Sequence, residues 1–262
     1  MRLAPVLLVL ACGPALAQIG YAGGGPAGPP LRWTLGVQKV QPSLSVRAEG
    51  SRDGRATLAD SEADLGLGRE GSPLGAFLEY QGEGQAFQVA YDSARYAGDR
   101  VLPRPILLDG VGYLAGTPLQ STAKVQVLEG MWTYKLVRRS DAWVGFDLGA
   151  QLLRADLTAL AAGSAQAQKA RPSWFVPQLG LTGWSSGADG LLESRVYARY
   201  FTYKGASLLR YGVDARAYFY PGFGLRAFYE DTRIRIPSGS LRQDLDLHAD
   251  RRLAGLGLVV RF

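Results

Sequence analysis

The residues best able to do chemistry fall into two patterns. The first is local. In DLDLHAD, Asp244, Asp246, His248 and Asp250 recur at every second position and share one side of an extended segment. His248 is the only histidine in the chain. Carboxylates beside an imidazole can ligate a metal or exchange a proton. A hairpin turning at Ser238–Gly239 would set Arg233 opposite Asp244, Asp231 opposite Asp246 and Tyr229 opposite His248. Asp231, Asp246 and His248 are then a weak candidate metal set, and cross-strand ion pairing in a protruding hairpin is the plainer account. No nucleophile stands beside the histidine: the residue two positions on is Asp250, and the nearest upstream serine is Ser240. No phosphate loop or zinc spacing occurs, so no catalytic residue and no cofactor is assigned.

The second pattern is distributed. Glu79, Asp92, Glu129, Lys135, Asp147, Glu193, Arg195, Arg199, Asp214, Arg216, Arg226 and Glu230 all stand at positions that alternate with apolar ones. The signs are mixed, so most of these groups could pair with one another. Rows of both signs also line narrow pores.

Period-2 alternation is what would position such a ladder, and helical periodicity is nearly absent. In WVGFDLGAQL, Val144, Phe146, Leu148, Ala150 and Leu152 share one face, and Gly145, Asp147, Gly149 and Gln151 share the other. In YGVDARAYF, Val213, Ala215, Ala217 and Phe219 oppose Asp214, Arg216 and Tyr218. Near the end of the chain, Ala254, Leu256, Leu258, Val260 and Phe262 share one face. The apolar phase reverses between Leu247 and Ala254, around ADRR, which predicts a β-bulge there. Long strands that each carry an apolar face and a charged face suit a transmembrane β-barrel, apolar outside and polar inside. Such a sheet must close, because an open edge would leave backbone groups unsatisfied in hydrocarbon.

Ten strands are predicted, near 32–49, 73–81, 84–97, 119–137, 141–157, 173–185, 190–203, 208–220, 223–236 and 241–262, with eight or twelve as alternatives. Short connections (81–84, 138–141, 185–190, 220–223) alternate with generally longer ones (50–72, 98–118, 158–172, 204–207, 237–240). Trp33, Trp132, Trp143, Trp184, Tyr134, Tyr200 and Tyr220 lie toward strand ends, as interface girdles would. Arginines such as Arg100, Arg104, Arg171, Arg233, Arg235, Arg251 and Arg252 fall in or beside the longer connections, where they could face lipid phosphates. The same connections hold acids such as Asp60, Glu62, Asp64 and Asp99, and ordinary solvated loops are the plainer account.

The start, MRLAPVLLVLACGPALAQ, carries Arg2, an apolar run and a small-residue site at Ala15–Ala17. This predicts a signal peptide over 1–17, cleaved before Gln18. Lipidation at Cys12 competes, but Leu10 stands where a small residue is usual. Cys12 is the only cysteine, so cleavage would leave a chain without disulfides. Residues 18–31 are rich in Gly and Pro and read as a flexible leader, leaving 32–262 for the barrel. Hydrophobic residues are 47% of the chain, yet no apolar run past the start approaches the ~20 residues of a spanning helix. The net charge of +6 suits anionic lipid, and an export signal argues against nucleic acid as a partner.

The chain resembles bacterial outer-membrane β-barrel proteins as a class. Gly257, Val260 and the terminal Phe262 match the closing-strand pattern of that class. The resemblance implies that barrel-assembly machinery reads this strand and that outer-membrane lipid, lipopolysaccharide included, surrounds the wall. The functional expectation is an outer-membrane barrel with a mostly filled polar interior and a structural or loop-mediated role. A narrow channel for small solutes is the alternative, and an outer-leaflet lipid enzyme or protease a further one.

Overall fold

In the computed structural model the alternating segments form ten long strands: β1 (Arg32–Arg52), β2 (Leu74–Gln81), β3 (Gln85–Val101), β4 (Pro118–Arg138), β5 (Ala142–Ala161), β6 (Ser173–Gly187), β7 (Leu192–Tyr203), β8 (Ala206–Tyr220), β9 (Phe223–Ile236) and β10 (Asp244–Arg261). Each pairs antiparallel with its sequence neighbour, and β10 pairs back onto β1, from Thr34 opposite Arg261 to Ser51 opposite Asp244. The sheet is therefore a closed ring, the antiparallel β-barrel that the alternation predicts. The structure describes residues 32–262 apart from 53–54, 71–72, 109, 163–167, 172, 221 and 239–243. The signal segment 1–17 and the leader 18–31 lie outside the described residues.

The first and last described residues, Arg32 and Phe262, lie at one rim. Trp33 and Phe262 exchange backbone hydrogen bonds of 2.8 and 3.0 Å, so the last residue is part of the closing seam. The connections at this rim are short. At the far rim three are long and carry extra strands, Arg55–Asp60, Gly68–Glu70, Ile106–Leu108, Val111–Tyr113 and Gln168–Ala170. The connection expected at 204–207 is instead a two-residue turn, with Lys204 at φ 47° and Gly205 at φ 85°. Two successive left-handed residues make the tight hairpin that matches strand twist, and the wall is lowest there.

Several strands are longer than a membrane needs. β4 has 21 residues, about 70 Å along the strand and roughly 50 Å along the axis at a tilt near 40°. The apolar band of such barrels is about 25 Å tall. The extra height shows in a reversal of polarity along β4, β5 and β10. On β5, Val144, Phe146, Leu148, Ala150 and Leu152 face outward, and Arg154, Asp156 and Thr158 follow them on the same face. Inward, Trp143, Gly145, Asp147, Gly149 and Gln151 give way to Leu153, Ala155, Leu157 and Ala159. On β4 the change falls between Val127, which is inward, and Leu128, which is outward. On β10 it falls at Leu253 and Ala254.

This reversal replaces the bulge expected at ADRR. The pairing of β10 is unbroken on both sides, from Phe223 opposite Val260 to Ile236 opposite Leu247, and along all of β1. The strand does not slip. Its surroundings change, and the side of the sheet that must be apolar changes with them.

The far half encloses apolar clusters. Leu65, Leu102, Ile106, Leu108 and Leu119 pack together under the long connections. Ala94, Tyr96, Ala123, Val125 and Val127 line the wall below them. Ala206, Ile236 and Leu247 gather on the low side, against half-buried Val46, Ala48, Trp174 and Ile234. A strap closes this half: Arg104 donates two hydrogen bonds, 2.8 and 2.7 Å, to the carboxylate of Asp64, and Arg100 donates to the carbonyl of Glu62 at 3.0 Å. Asp64 is buried. The Arg104 hydrogen bonds hold its carboxyl below the usual carboxylate range.

Candidate functional site

The half that carries Arg32 and Phe262 is filled with charge. Alternation sends Glu79 (β2), Arg195 (β7), Asp214 and Arg216 (β8) and Arg226 (β9) into the same interior. Asp214 Oδ2 accepts from Arg195 at 2.8 Å, Arg226 at 2.8 Å and Arg216 at 3.2 Å. Glu79 Oε2 accepts from Arg195 and Arg216, each at 2.8 Å, and Glu79 Oε1 accepts from Gln81 at 2.7 Å. Arg226 also reaches Gln38 and lies 4.3 Å from the Phe77 ring centre. Gly36 makes that ring possible, since a Cβ there would occupy the same space as the Phe77 edge.

A second cluster lies beside the first. Asp147 (β5) accepts from the hydroxyls of Thr133 and Thr182, both at 2.6 Å, and from Arg199 Nε at 3.0 Å. Glu129 (β4) bridges Arg199, at 2.8 Å, and Arg210. Glu230 (β9) accepts from Arg210 at 2.5 Å and from the Tyr197 hydroxyl at 2.7 Å. A buried ion is several kcal/mol uphill unless paired and hydrogen-bonded, and each of these carboxylates has at least two donors.

The terminal rim has its own closure. Lys135 donates to the Gly82 carbonyl at 2.6 Å and sits 5.1 Å from the Trp143 ring. Trp143 stacks on Trp184 with centroids 6.1 Å apart, and Arg32 covers Trp184 at 4.7 Å. Glu193 joins this layer to Arg32 at 2.8 Å and to Arg261 at 3.0 Å. A space lies among these groups, between Glu79, Gln88, Met131, Thr133, Arg195 and Arg199. It measures about 10 Å³, room for about one water.

Of the charged residues singled out in the sequence, Glu79, Glu129, Lys135, Asp147, Glu193, Arg195, Arg199, Asp214, Arg216, Arg226 and Glu230 are buried. Asp92 is half-buried at the level where polarity reverses, 3.4 Å from Arg251. Arg251, read from the sequence as a loop arginine, points inward and is buried. Sequence reasoning also passed over Arg210, although it shares its alternation with Asp214 and Arg216. Trp143 and Trp184 correct the girdle expectation: both are buried inside, on the parity of Asp147 and Thr182. Trp33, Tyr134 and Tyr200 are exposed on the outer face, and the side chain of Tyr220 lies outside those described.

The candidate metal set does not assemble. Asp231 lies opposite Arg252, Arg233 opposite Asp250 and Tyr229 opposite Ala254, because the hairpin register centres beyond Ser238–Gly239. The Asp231 carboxylate is occupied by Arg233 at 3.2 Å and Arg252 at 3.4 Å. His248 Nε2 lies 3.1 Å from Asp246 Oδ1 on the exposed face. His248 stands opposite Arg47 on one side and Arg235 on the other. In the closing strand, Phe262 is exposed outward, and Gly257 faces inward against the Gln38 backbone.

No family model matches the chain, and no curated protein matches it. Solved structures do. The outer membrane protease OmpT of Escherichia coli matches with a TM-score of 0.62 at 9% identity, covering 93% of this chain and 99% of that one. The β domain of the Bordetella autotransporter BrkA matches at 0.40 with 18% identity, covering 90% and 100%. The attachment protein Ail of Yersinia pestis, solved with the heparin analogue sucrose octasulfate, matches at 0.35 with 12% identity, covering 89% and 99%. The chain has the fold of bacterial outer-membrane β-barrel proteins.

Proposed function

We propose that this chain is exported through its segment 1–17, resides in an outer membrane, closes its own lumen, and acts through the half that stands above the bilayer. The carrying observation is the interior: the Asp214–Glu79 and Glu129–Asp147–Glu230 clusters are buried, each carboxylate takes at least two donors, and they adjoin the Trp143–Trp184 layer. A hydrated ion crossing this section would have to break several buried charge pairs. The exposed belt of Leu35, Val37, Leu78, Val89, Leu148, Leu181, Leu225 and Leu256 supports the membrane assignment, because water would not solvate an apolar band on the whole outer wall. With the lumen shut, the far half and its loops are what remains for contact, which favours an interaction role over transport. The closing strand, with Gly257, Val260 and Phe262, would present the assembly signal. The likeness to a protease is one of fold, and His248 has no nucleophile beside it.

Planar-bilayer recording tests the closed lumen. Wild-type protein that shifts on SDS gels after boiling, and is thus a folded barrel, should give no current steps above bare lipid. Steady unit conductance from that material would overturn the sealed reading in favour of the narrow channel.

A further inference from the structure

Above the apolar belt, outward-facing cations occur around much of the barrel, and most have acids beside them. Arg233 and Arg252 share Asp231, and Arg47 lies 3.5 Å from Glu49. Glu70 is in register with Arg95. One stretch differs. Across β4, β5 and β6, Leu128, Leu152 and Phe175 form one outward row, with Phe175 71% exposed. The next row up is Gln126, Arg154 and Ser173. Above it Lys124 stands opposite Asp156, and Arg171 Nε contacts Asp156 at 3.4 Å. Higher still, Lys169 stands opposite Thr158. Lys124, Arg154 and Lys169 are all exposed, and among the described residues of these rows Asp156 is the one carboxylate.

We propose that Lys124, Arg154 and Arg171 form a site for the phosphate of a membrane lipid whose acyl chains run down over Leu152 and Phe175. Rows lie about 7 Å apart and strands about 5 Å apart, so the three cationic heads can converge on one phosphate from diagonal positions. Holding Arg171 by its Nε leaves its terminal nitrogens for a ligand, and guanidinium geometry suits phosphate oxygens. Cations directly over an exposed apolar surface match an amphiphile, which a free phosphate would not need. Gln126 donates to the Tyr91 hydroxyl at 2.7 Å, which sets the polar–apolar edge at the same height.

This inference rests on the membrane reading above, and the experiment separates the two. Wild type and the Lys124→Gln/Arg154→Gln/Arg171→Gln variant are purified in dodecyl maltoside, and heat-modifiable gel mobility verifies each barrel. Bound lipid is then counted by native mass spectrometry during titration with dioleoyl phosphatidic acid, dioleoyl phosphatidylcholine or inorganic pyrophosphate. Wild type should prefer phosphatidic acid over phosphatidylcholine about tenfold, the triple variant should lose that preference, and Asp156→Asn should strengthen it. Equal retention by wild type and triple variant, or no preference in wild type, overturns the lipid site and leaves the barrel standing. Displacement of the lipid by pyrophosphate would make this a free-phosphate site and also overturn it. Protein that stays in solution without detergent and shows no mobility shift would sink the membrane reading itself.

Discussion

The two halves of this barrel solve opposite solvation problems with the same strands. Near Arg32 and Phe262 the wall is apolar outside and the interior is ionic: Asp214 takes three arginines, and Phe146 and Leu148 face out. In the far half the outside carries Arg154, Asp156 and Arg252, and the inside carries Leu102, Ile106 and Leu119. A sheet has two faces and buries one of them against whatever each solvent rejects. In hydrocarbon the polar groups are driven inward, where they must satisfy one another. In water the apolar groups are driven inward, as in a soluble barrel. The change of solvent partway up the wall is enough to invert the pattern on one continuous strand.

The comparison is tested most severely from the inside. Asp214→Ala leaves Arg195, Arg216 and Arg226 buried without their shared carboxylate, and should cost about 3–5 kcal/mol by urea titration of the barrel in lipid vesicles. Leu119→Ala, in the far half, should cost roughly 2–3 kcal/mol as an apolar cavity, and should mostly quicken protease cleavage of the long connections. If Leu119→Ala weakened the whole barrel as much as Asp214→Ala does, the halves would not be separate cores.

The outer face gives a finer test. Leu148→Arg places a charge in the belt and should lower vesicle-refolded stability by about 2–4 kcal/mol. Gln120→Arg, outward but far above the belt and opposite Asp99, should stay within about 0.5 kcal/mol. Equal penalties at both positions would erase the boundary drawn at Leu152 and Arg154.

The smallest effect is one of pH. The Asp64 carboxyl is depressed in the folded strap by Arg104, so the strap's contribution is present above the ordinary carboxylate pKa near 4. It should fade as pH falls through the lower, folded value. Amide exchange at residues 60–67, taken relative to the intrinsic rate and followed from pH 6 to pH 3, should quicken in wild type. In Asp64→Asn it should already be fast at pH 6, with little further pH response beyond the intrinsic rate.

Much of the fold could be read in advance, since period 2 assigns faces without knowledge of partners. The strands came out close to their expected spans, and Glu79, Asp147 and Asp214 stand on the faces their parity gives them. Two readings failed for different reasons: local pattern carries no register, and nearness to a turn does not assign a face. Asp231 was set beside Asp246 by assuming a turn at Ser238–Gly239, and the true pairing gives it to Arg252. Trp143 and Trp184 were assigned by their nearness to turns, although their parity already sent them inside.

The sequence by itself determined that the strands are two-faced and that charge would be concentrated on one face. The reversed phase at ADRR was visible there too, but alternation is a relative signal. A reversal can mean an extra residue in the strand or a new solvent on the same strand. Only the unbroken pairing of β10 with β1 and β9 decides for the second, because hydrogen-bond register is a property of neighbouring strands and no single strand contains it. The same holds for the ion clusters: each charge was legible, but which carboxylate holds which arginine depends on strands brought together by closure of the ring.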